Sequence, residues 1–327
     1  MQTLKHDIHI INPFLNASGG SEQRSLALYN ALNKRARAHL WSTVPPHEQL
    51  AKENSINLIS LPKYHFPSNG TFVFVGVYFK IGLWYLLARP RRTILVYNTR
   101  TPRYFNKRYS KLSFGFNKPE IVFACESLKD TINVPGIVEP SIIDITSFIP
   151  RKKISSKYNP TFVVGRLSRD VLYKHCLDDI PMYKKLAAHN IKIRIMGGTC
   201  LDTHMDSTIN IELLPECSLE AAAFLQNIDC FYYRVSHTWY ETFGRVIFEA
   251  MACGLPVVCE NRGGYCGYIK HGVNGFLCNT QDEAYAIINR LKHDHALRDA
   301  IGTAARKTVE NMYSRHNLNS TLEFYLR

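Results

Sequence analysis

Short apolar segments alternate with amphipathic segments along most of this chain, and no other feature restricts its fold as strongly. The apolar segments of the first half are residues 6–12, 56–61, 93–98 and 120–125. Those of the second half are residues 161–165, 191–198, 209–214, 229–235 and 256–260. Helical periodicity is found between them, over 25–34, 177–188, 218–227 and 244–253. Strand–helix alternation of this type predicts an α/β fold with mainly parallel sheets and helices on both faces.

A change of composition near the middle of the chain divides the alternation into two series. Residues 150–160, PRKKISSKYNP, are charged, polar and bounded by proline, which is typical of an interdomain linker. The 327 residues also exceed what one ordinary core accommodates. We therefore predict one Rossmann-like domain over 1–150 and a second over 151–305, facing each other across a cleft that is the default ligand site. The last segment, 306–327, is predicted to form a helix that packs back on the first domain.

The positive charge of the chain is concentrated in its first half. Of the formal net charge of +13, the first 150 residues carry +9, from 18 Lys+Arg and 9 Asp+Glu. Much of the excess lies between Arg89 and Lys111, a tract without one acidic residue. The candidate membrane- or acceptor-binding cations are Arg89, Arg91, Arg92, Arg100, Arg103, Lys107 and Arg108. Such a cluster attracts a lipid surface, a pyrophosphate-bearing acceptor or nucleic acid, unless it is a solvated face without a partner.

Residues 72–88, FVFVGVYFKIGLWYLLA, form an apolar stretch interrupted by Lys80. This length is at the short end for a membrane-spanning helix, and strand-like sequence follows closely. We expect a helix that is buried in, or docked on, the first α/β domain. Its aromatic residues and the adjoining cations also suit a membrane interface.

The N-terminal sequence and the cysteines indicate the cellular compartment of the protein. The first ten residues, MQTLKHDIHI, lack the charged-then-apolar pattern of a secretion signal. The nine cysteines are an odd number without a C-x-x-C pair, and most of them lie in apolar segments. Buried free thiols in a reducing compartment account for them best, so we expect a cytoplasmic protein. If the basic tract binds lipid, this protein is peripheral on the inner face of the membrane.

The segment 237–258, HTWYETFGRVIFEAMACGLPVV, contains the most specific pattern. A helix that starts near Gly244 places Glu241 just before its N-terminus and Glu249 about a turn and a half inside, so both can face one ligand. Backbone N–H groups at the start of this helix offer a phosphate site. The residues that would present them are Thr242, Phe243, Gly244 and Arg245. Two glutamates in isolation would instead be a helix-capping carboxylate and a solvated surface residue.

This segment resembles the Glu–seven residues–Glu signature of the retaining GT-B glycosyltransferases, particularly their large family 4, the glycosyl transferases group 1. The following AMACGLPVV, and HGVNGFL at 271–277, are similar to the family almost residue by residue. Three further segments resemble it in the right order: SGGSEQ (18–23), EPSIIDITSFIP (139–150) and VVGRLSRDVLYKH (163–175). The resemblance implies a GT-B fold with two Rossmann-like domains and a nucleotide-sugar donor.

The resemblance also implies which residues contact the donor diphosphate. Arg166 and Lys174 would neutralise it, because a departing nucleoside diphosphate needs positive charge. Gly19 and Gly20, at a helix start, would let the backbone of the first domain approach the donor phosphates. A plain tight turn is the alternative interpretation of these two glycines.

The two glutamates receive different roles from the resemblance. Glu249 would accept hydrogen bonds from the ribose hydroxyls, whereas Glu241 would contact the transferred sugar and support positive charge at its anomeric carbon. Two departures from the family pattern bear on the donor sugar and the acceptor. Residues 263–267, GGYCG, lack the acidic residue that many members carry after Gly-Gly, and 96–102, VYNTRTP, lack a histidine that many members carry.

No Asp-x-Asp sequence occurs in the chain, and this absence favours stabilisation of the leaving group without a metal ion. No His/Cys cluster in the sequence indicates a metal site either. We therefore expect no metal and no cofactor besides the nucleotide-sugar co-substrate. Among the 13 histidines, His9 and His237 are weak catalytic candidates, and a structural role is more usual for such residues.

The sequence thus predicts a retaining, metal-independent glycosyltransferase of the hexosyltransferase type. Its expected acceptor is a lipid-linked or cell-surface glycan, such as a lipopolysaccharide or another polysaccharide, at an anionic membrane surface. The same donor chemistry on a soluble small-molecule acceptor is the alternative, and the basic tract would then be incidental. A non-enzymatic polyanion-binding protein is a third, less favoured possibility. The basic tract lacks a recognised nucleic-acid module, so no nucleic-acid partner is expected.

Overall fold

The computed structural model of the protein describes residues 7–114, 118–151, 161–205 and 209–327. The chain divides into two compact units, Met1–Ile142 with Arg315–Arg327, and Ile143–Ser314. Each unit contains one sheet whose described strands are all parallel. The predicted α/β class with two Rossmann-like domains is confirmed.

The sheet of the first unit has seven strands among the described residues, in the order β3-β2-β1-β4-β5-β6-β7. Its strands are β1 (Ile8–Ile11), β2 (Ala38–Ser42), β3 (Ile56–Leu58), β4 (Thr71–Val75), β5 (Arg92–Tyr97), β6 (Glu120–Phe123) and β7 (Gly136–Val138). Its helices before the second unit are α1 (Gly20–Leu32), α2 (Glu48–Glu53), α3 (Trp84–Ala88), α4 (Pro102–Ser113) and α5 (Glu126–Thr131). The strand order reverses direction between β1 and β4, as in doubly wound folds.

The prediction of one helix over residues 72–88 is wrong. The first part of this stretch is the central strand β4, and only its last part is helical, as α3. Phe72 and Phe74 pack into the apolar cluster on one face of the sheet, whereas Val73 and Val75 pack into the cluster on the other face. A strand that is buried on both faces has a continuous apolar sequence, which periodicity alone does not distinguish from a buried helix.

The sheet of the second unit has six strands among the described residues, in the order β10-β9-β8-β11-β12-β13. They are β8 (Phe162–Leu167), β9 (Ile191–Met196), β10 (Ile211–Leu214), β11 (Cys230–Tyr233), β12 (Val257–Glu260) and β13 (Phe276–Cys278). The α-helices are α6 (Ile180–Ala188), α7 (Ala221–Leu225), α8 (Arg245–Ala252), α9 (Gln281–His293) and α10 (His295–Met312). Short 3₁₀ helices lie at Leu172–Lys174, Leu177–Asp179, Thr199–His204 and Gly264–Gly267.

The last helix, α11 (Arg315–Leu326), belongs to the first unit. The hydroxyl of Tyr325 donates a hydrogen bond to Oε1 of Glu139 at 2.9 Å, and Nη2 of Arg24 donates to the carbonyl oxygen of Glu139 at 3.0 Å. All three side chains are buried, so α11 is joined to α1 and to the segment after β7 by a polar cluster inside the core. The helix starts at Arg315 rather than at 306, because residues up to Met312 continue α10.

The boundary between the units lies at Ile142 and Ile143, before the predicted position at 150. Residues after this boundary form hydrogen bonds with the second unit. Nη1 of Arg306 donates to the carbonyl oxygen of Phe148 at 2.6 Å, and Nε2 of Gln226 donates to the carbonyl oxygen of Ile149 at 3.0 Å. The segment before Pro150 is therefore part of the second unit rather than of the first. Most of the predicted linker, 152–160, lies outside the described residues.

Candidate active site

The residues with chemistry in the second unit lie beyond the carboxyl ends of two neighbouring strands. The strand order of this sheet reverses direction between β8 and β11, and open parallel sheets bind ligands at such a point. Arg166 lies near the end of β8, and Tyr233 is the last residue of β11. The loop after β11 carries Glu241, and the 3₁₀ helix after β8 carries Lys174.

Glu241 is at the centre of this cluster. Its Oε2 accepts hydrogen bonds from Nζ of Lys174 at 2.5 Å and from the hydroxyl of Tyr233 at 2.9 Å. Burial raises the pKa of Glu241, but the charge and hydrogen bond of Lys174, the hydroxyl of Tyr233 and the charge of Arg169 outweigh this effect and lower it below its usual value. Glu241 is therefore a carboxylate at neutral pH, paired with one ammonium group.

Arg166 is almost completely buried, with 2% of its surface exposed. Its Nη2 donates to the carbonyl oxygen of Lys174, and its Nε donates to Nδ1 of His175 at 3.2 Å. Its guanidinium carbon lies 4.7 Å from the ring centre of Tyr233, a cation–π contact. The family resemblance implies that both Arg166 and Lys174 contact a diphosphate. In the structure Arg166 also donates to the backbone of Lys174, and Nζ of Lys174 reaches Glu241.

His175 connects this segment to the turn after β9. Because its Nδ1 accepts from Arg166, the ring proton is on Nε2, which donates to the carbonyl oxygen of Gly197 at 2.7 Å. Burial, and next the charge of Arg166, lower the pKa of His175 to about 3, so the ring is neutral. Gly197 has φ +77°, and a Cβ there would lie 1.9 Å from the carbonyl oxygen of Ser168, so this turn requires glycine.

Two aromatic rings lie next to the Lys174–Glu241 pair. The ring centres of Tyr173 and Trp239 are 4.8 Å apart, and both side chains are partly exposed. Nζ of Lys174 lies 4.9 Å from the centre of the Trp239 ring. The guanidinium carbon of Arg169 lies 5.4 Å from the centre of the Tyr173 ring. The rings therefore stack on two cations beside the carboxylate.

A chain of alternating charges supports the loop that carries Trp239 and Glu241. Nη1 of Arg234 lies 3.1 Å from Oδ1 of Asp179, and its Nε lies 3.7 Å from Oε1 of Glu260. Arg262 binds Glu260 at 3.1 Å and donates to the carbonyl oxygen of Trp239 at 2.8 Å. Burial raises the pKa of Asp179 to about 6, although Arg234 opposes the shift. The loop is thus held in place through its backbone carbonyl groups.

The start of α8 requires a glycine. Gly244 precedes the helix with φ +76°, and a Cβ there would lie 2.9 Å from Cδ1 of Ile247 and 3.1 Å from Cδ1 of Tyr265. Thr242 and Phe243, which come just before it, are buried. The helix therefore begins four residues after Glu241, close to the predicted start near Gly244, and its N-terminus carries a partial positive charge.

Glu249 lies inside α8 and is 8% exposed. Its Oε1 accepts a hydrogen bond from Nη2 of Arg245 at 3.4 Å. Burial raises the pKa of Glu249, and Arg245 offsets part of this effect. A carboxylate that is buried with one long hydrogen bond is suited to accept further hydrogen bonds from a polar ligand.

In the segment that lacks an acidic residue after Gly263 and Gly264, Tyr265 packs into the core. This tyrosine is fully buried, and its ring lies against Gly263, where a Cβ would approach it to 2.4 Å. The backbone N–H of Gly264 donates to the carbonyl oxygen of Glu241 at 2.9 Å. In this chain the segment therefore supports the glutamate loop through its backbone.

In the first unit, the glycine loop forms the start of α1. The backbone N–H of Gly19 donates to the carbonyl oxygen of Asn16 at 3.1 Å, and a Cβ on Gly19 would lie 2.1 Å from Oε2 of Glu22. At Gly20, by contrast, a Cβ would have no neighbour within 4 Å. The carboxylate of Glu22 thus lies at this helix start beside Gly19, whereas the space beside Gly20 is open. Asn98, from the segment that lacks a histidine, donates to Ser21 of the same helix at 3.1 Å.

Two members of the predicted basic tract have partners inside the first unit. Nε of Arg92 donates to Oε1 of Glu120 at 2.6 Å, and Nε of Arg108 donates to the carbonyl oxygen of Val77 at 3.0 Å. Their guanidinium groups also stack on buried or half-buried rings. The predicted cations whose side chains lie on the surface are Arg89, Arg91, Arg100, Arg103 and Lys107.

Apolar side chains are exposed at one end of this tract. Leu83, Leu86 and Leu87 on and before α3 are 69%, 42% and 53% exposed, and Phe114 after α4 is 71% exposed. The hydroxyl of Tyr85 donates to the carbonyl oxygen of Leu112 at 3.1 Å, which joins α3 to the end of α4. Leu83, Leu86, Leu87 and Phe114, with the neighbouring Arg89 and Lys111, are called the α3 surface below. No helix in the described part of the chain is long and apolar enough to span a bilayer.

The structure brings Glu241, Lys174 and Arg166 together, with Glu249 in the helix that follows. Sequence reasoning missed Tyr233, His175 and Trp239. Tyr233 lies in an apolar strand and resembled a core residue, and its contact with the guanidinium of Arg166 depends on the pairing of β8 with β11.

Comparison with known proteins identifies the second unit most clearly. The family described as Glycosyl transferases group 1 matches residues 144–308, half of the chain. CapM of Staphylococcus aureus, a capsular polysaccharide biosynthesis glycosyltransferase, is 28% identical over 236 residues, which are 64% of this chain and 61% of CapM. The matched region thus spans less than two thirds of that relative.

Solved structures share the fold over nearly the whole chain. Anabaena HepE, in a crystal structure with UDP-glucose, has a TM-score of 0.71 at 19% identity, covering 98% of this chain and 99% of HepE. WaaG, a glycosyltransferase involved in lipopolysaccharide biosynthesis, has a TM-score of 0.66 at 12% identity, covering 97% and 99%. At these identities the similarity establishes the fold, which is of the GT-B type.

Proposed function

This chain belongs to the glycosyl transferases group 1, and from that premise we propose that it is a retaining, metal-independent glycosyltransferase of the hexosyltransferase type. It would move a sugar from a nucleotide-sugar donor to a lipid-linked or cell-surface glycan, such as a polysaccharide or a lipopolysaccharide. The observation that carries the proposal is the cluster of Lys174, Tyr233 and Glu241 at the strand-order reversal of the second sheet. The UDP-glucose in the HepE structure supports the donor class, and the polysaccharide role of CapM supports the acceptor class.

The donor diphosphate would bind at Lys174 and at the start of α8. Lys174 offers a buried ammonium group on a fixed backbone, and the helix start adds partial positive charge from residues 242–245. Arg166 would act by holding Lys174 in place. Glu249, inside the same helix, would accept hydrogen bonds from the ribose hydroxyls. Gly20, at the open start of α1, would admit the phosphates to the backbone of the first unit.

The charges of Glu241 and Lys174 suit a sugar transfer in which the diphosphate leaves as an anion. The bond between the anomeric carbon and the diphosphate oxygen breaks, and both electrons leave with the phosphate. The acceptor oxygen attacks from the same face, and its proton passes to the departing phosphate oxygen. Glu241, a carboxylate, stabilises positive charge at the anomeric carbon, while Lys174 and backbone N–H groups stabilise the leaving phosphate. The proposal assigns this stabilisation to protein groups without a metal ion.

A panel of nucleotide sugars tests the donor assignment. Each compound is added to the protein in a thermal-shift assay, and compounds that stabilise it are followed for nucleoside diphosphate release with and without candidate glycan acceptors. We expect one donor to raise the melting temperature and to be consumed when an acceptor is present. No stabilisation by any nucleoside diphosphate or nucleotide sugar would contradict the assignment.

We also propose that the α3 surface places the enzyme on the anionic inner face of a cytoplasmic membrane. Exposed leucine and phenylalanine side chains next to Arg89 and Lys111 combine apolar insertion with attraction to acidic headgroups. Lipid-linked acceptors are held at such a surface. The contribution of each cation is on the order of 1 kcal/mol at low salt.

Co-sedimentation with vesicles of anionic phospholipid tests this placement. We expect the protein to bind at low salt, and a variant with Leu86→Ser and Leu87→Ser to lose most of that binding. Lys270→Glu, an exposed cation of the second unit, is the control and should bind as the unchanged protein does. Absence of binding at low salt would instead favour a soluble small-molecule acceptor.

A further inference from the structure

Three potential metal ligands from two segments that are distant in the sequence lie together in the second unit. They are Cys176, Asp178 and His237, and their ligand atoms all lie within 4.8 Å of one another. Nε2 of His237 lies 3.1 Å from Oδ2 of Asp178, and Sγ of Cys176 lies 3.9 Å from the same oxygen. The sequence did not indicate this group, because its cysteine and histidine are 61 positions apart.

The two distances from Oδ2 of Asp178 to its neighbours are close to those between ligand atoms around a tetrahedral zinc ion. Zinc binds sulfur at about 2.3 Å and nitrogen or oxygen at about 2.0–2.1 Å, so its ligand atoms lie roughly 3.3–3.6 Å from one another. The measured 3.1 Å and 3.9 Å fall within about half an ångström of this range. Thiolate, imidazole and carboxylate together suit Zn²⁺, whereas Mg²⁺ and Ca²⁺ prefer oxygen ligands alone.

The two segments that carry the ligands are held in place by other contacts. Asp179, next to Asp178, forms a buried ion pair with Arg234 at 3.1 Å. Nη2 of Arg262 donates to the carbonyl oxygen of Ser236, next to His237, at 3.1 Å. The ligand geometry therefore does not depend on the exposed contact between Asp178 and His237, which by itself contributes little.

The burial of the ligands also fits an ion that arrives from solvent. The side chain of Cys176 is buried, whereas those of Asp178 and His237 are 59% and 63% exposed. The buried sulfur would form the base of the site, and the exposed oxygen and nitrogen would close around an ion with a water molecule as fourth ligand.

We propose that Cys176, Asp178 and His237 bind one divalent transition-metal ion of the zinc class. On binding, the sulfur–metal bond forms and the thiol proton is released to solvent. Cys176 lies two residues after Lys174, and His237 lies four residues before Glu241. The ion therefore cross-links the two segments whose side chains form the Lys174–Glu241 pair, and it takes no part in sugar transfer. Binding of the ion does not depend on the proposed function.

Titration of the full-length, reduced and metal-free protein with Co²⁺ tests the site without any nucleotide sugar. Cobalt bound to a thiolate gives a near-ultraviolet charge-transfer band, which we expect to saturate at one equivalent and to disappear on addition of Zn²⁺. Cys176→Ser should abolish the band. His237→Gln, at an exposed position that does not endanger folding, should weaken cobalt binding at least tenfold.

Two matched controls separate this site from other thiols and imidazoles. Cys217→Ser removes an exposed cysteine, and His204→Gln removes an exposed histidine; both should bind cobalt as the unchanged protein does. A band that survives Cys176→Ser, or that is lost in Cys217→Ser, would overturn the proposal.

Hydrogen exchange tests the cross-link directly. Addition of Zn²⁺ should slow amide exchange over residues 236–241 in the unchanged protein and leave it unaltered in His237→Gln. Equal exchange with and without Zn²⁺ in the unchanged protein would contradict the cross-link. Neither readout uses a donor, so a failed metal site and a failed transferase assignment are distinguishable.

Discussion

Nζ of Lys174 lies 2.5 Å from Oε2 of Glu241, so the charges of the two side chains offset each other. A diphosphate offers the same ammonium group a second anionic partner. A hydrogen bond between charged groups contributes about 1.5–3 kcal/mol. We therefore expect Lys174→Met to weaken nucleoside diphosphate binding about 10- to 100-fold, measured by calorimetry at fixed ionic strength. Lys270→Met is the control, and unchanged affinity in Lys174→Met would remove this residue from the diphosphate site.

Arg166 is expected to act through Lys174, because its guanidinium binds the Lys174 carbonyl oxygen and is buried. Arg166→Lys should weaken diphosphate binding about tenfold and lower the free energy of unfolding by about 2–4 kcal/mol. In the Lys174→Met background, the same substitution should cause no further loss of affinity. Two losses that add fully in the double variant would show that Arg166 contacts the diphosphate itself.

Glu249 is predicted to recognise the ribose of the donor. Its buried carboxylate has one long hydrogen bond, from Arg245, and lies in the helix that starts beside Glu241. Glu249→Ala should raise the donor KM about 10- to 100-fold with a much smaller change in kcat. The unchanged protein should prefer a nucleoside diphosphate to its 2′-deoxy analogue, and Glu249→Ala should lose this preference. An equal preference in both proteins would place Glu249 elsewhere than at the ribose.

His9 gives the first unit a defined response to acid. Burial, and next the charge of His39, lower the pKa of His9 to about 4, and Nε1 of Trp41 donates to its Nδ1 at 3.1 Å. Because the pKa of His9 is lower in the folded than in the unfolded protein, the unfolded state takes up a proton first as the pH falls. The free energy of unfolding is therefore undiminished above pH 6.5 and decreases as the pH falls from there towards 4. The loss should amount to about 2–4 kcal/mol.

Urea unfolding between pH 7.5 and pH 4 measures this response. His9→Asn keeps an acceptor for Trp41 but does not titrate, so its free energy of unfolding should fall less steeply over the same interval. Identical slopes in the two proteins would show that His9 is not buried as a neutral ring.

The sequence predicted those parts of the protein that depend on local pattern. The alternation of strand-like and helical segments predicted both α/β units. The positions of Glu241 and Glu249 predicted one carboxylate before α8 and the other inside it. Contacts that depend on strand order were not predictable in this way. Arg166 lies against the ring of Tyr233, and Lys174 reaches Glu241, because β8 and β11 are neighbours.

Burial of a strand on both faces of the sheet also limited the prediction of secondary structure from the sequence. Strand β4 was mistaken for a helix because none of its residues, Thr71–Val75, faces water. Cys176 and His237 were likewise not recognisable as a pair, since only the folded loops bring them to within 4.8 Å.

The central claim is that the carboxylate of Glu241 supports transfer of the donor sugar. Transfer from the donor identified by the panel is measured as nucleoside diphosphate release in the presence of acceptor, for the unchanged protein and for Glu241→Gln. The amide keeps the size of the side chain and an acceptor for Tyr233, so circular dichroism should show a folded variant. We predict that its kcat falls at least 100-fold while nucleoside diphosphate still binds. Near-normal transfer by folded Glu241→Gln would contradict the account.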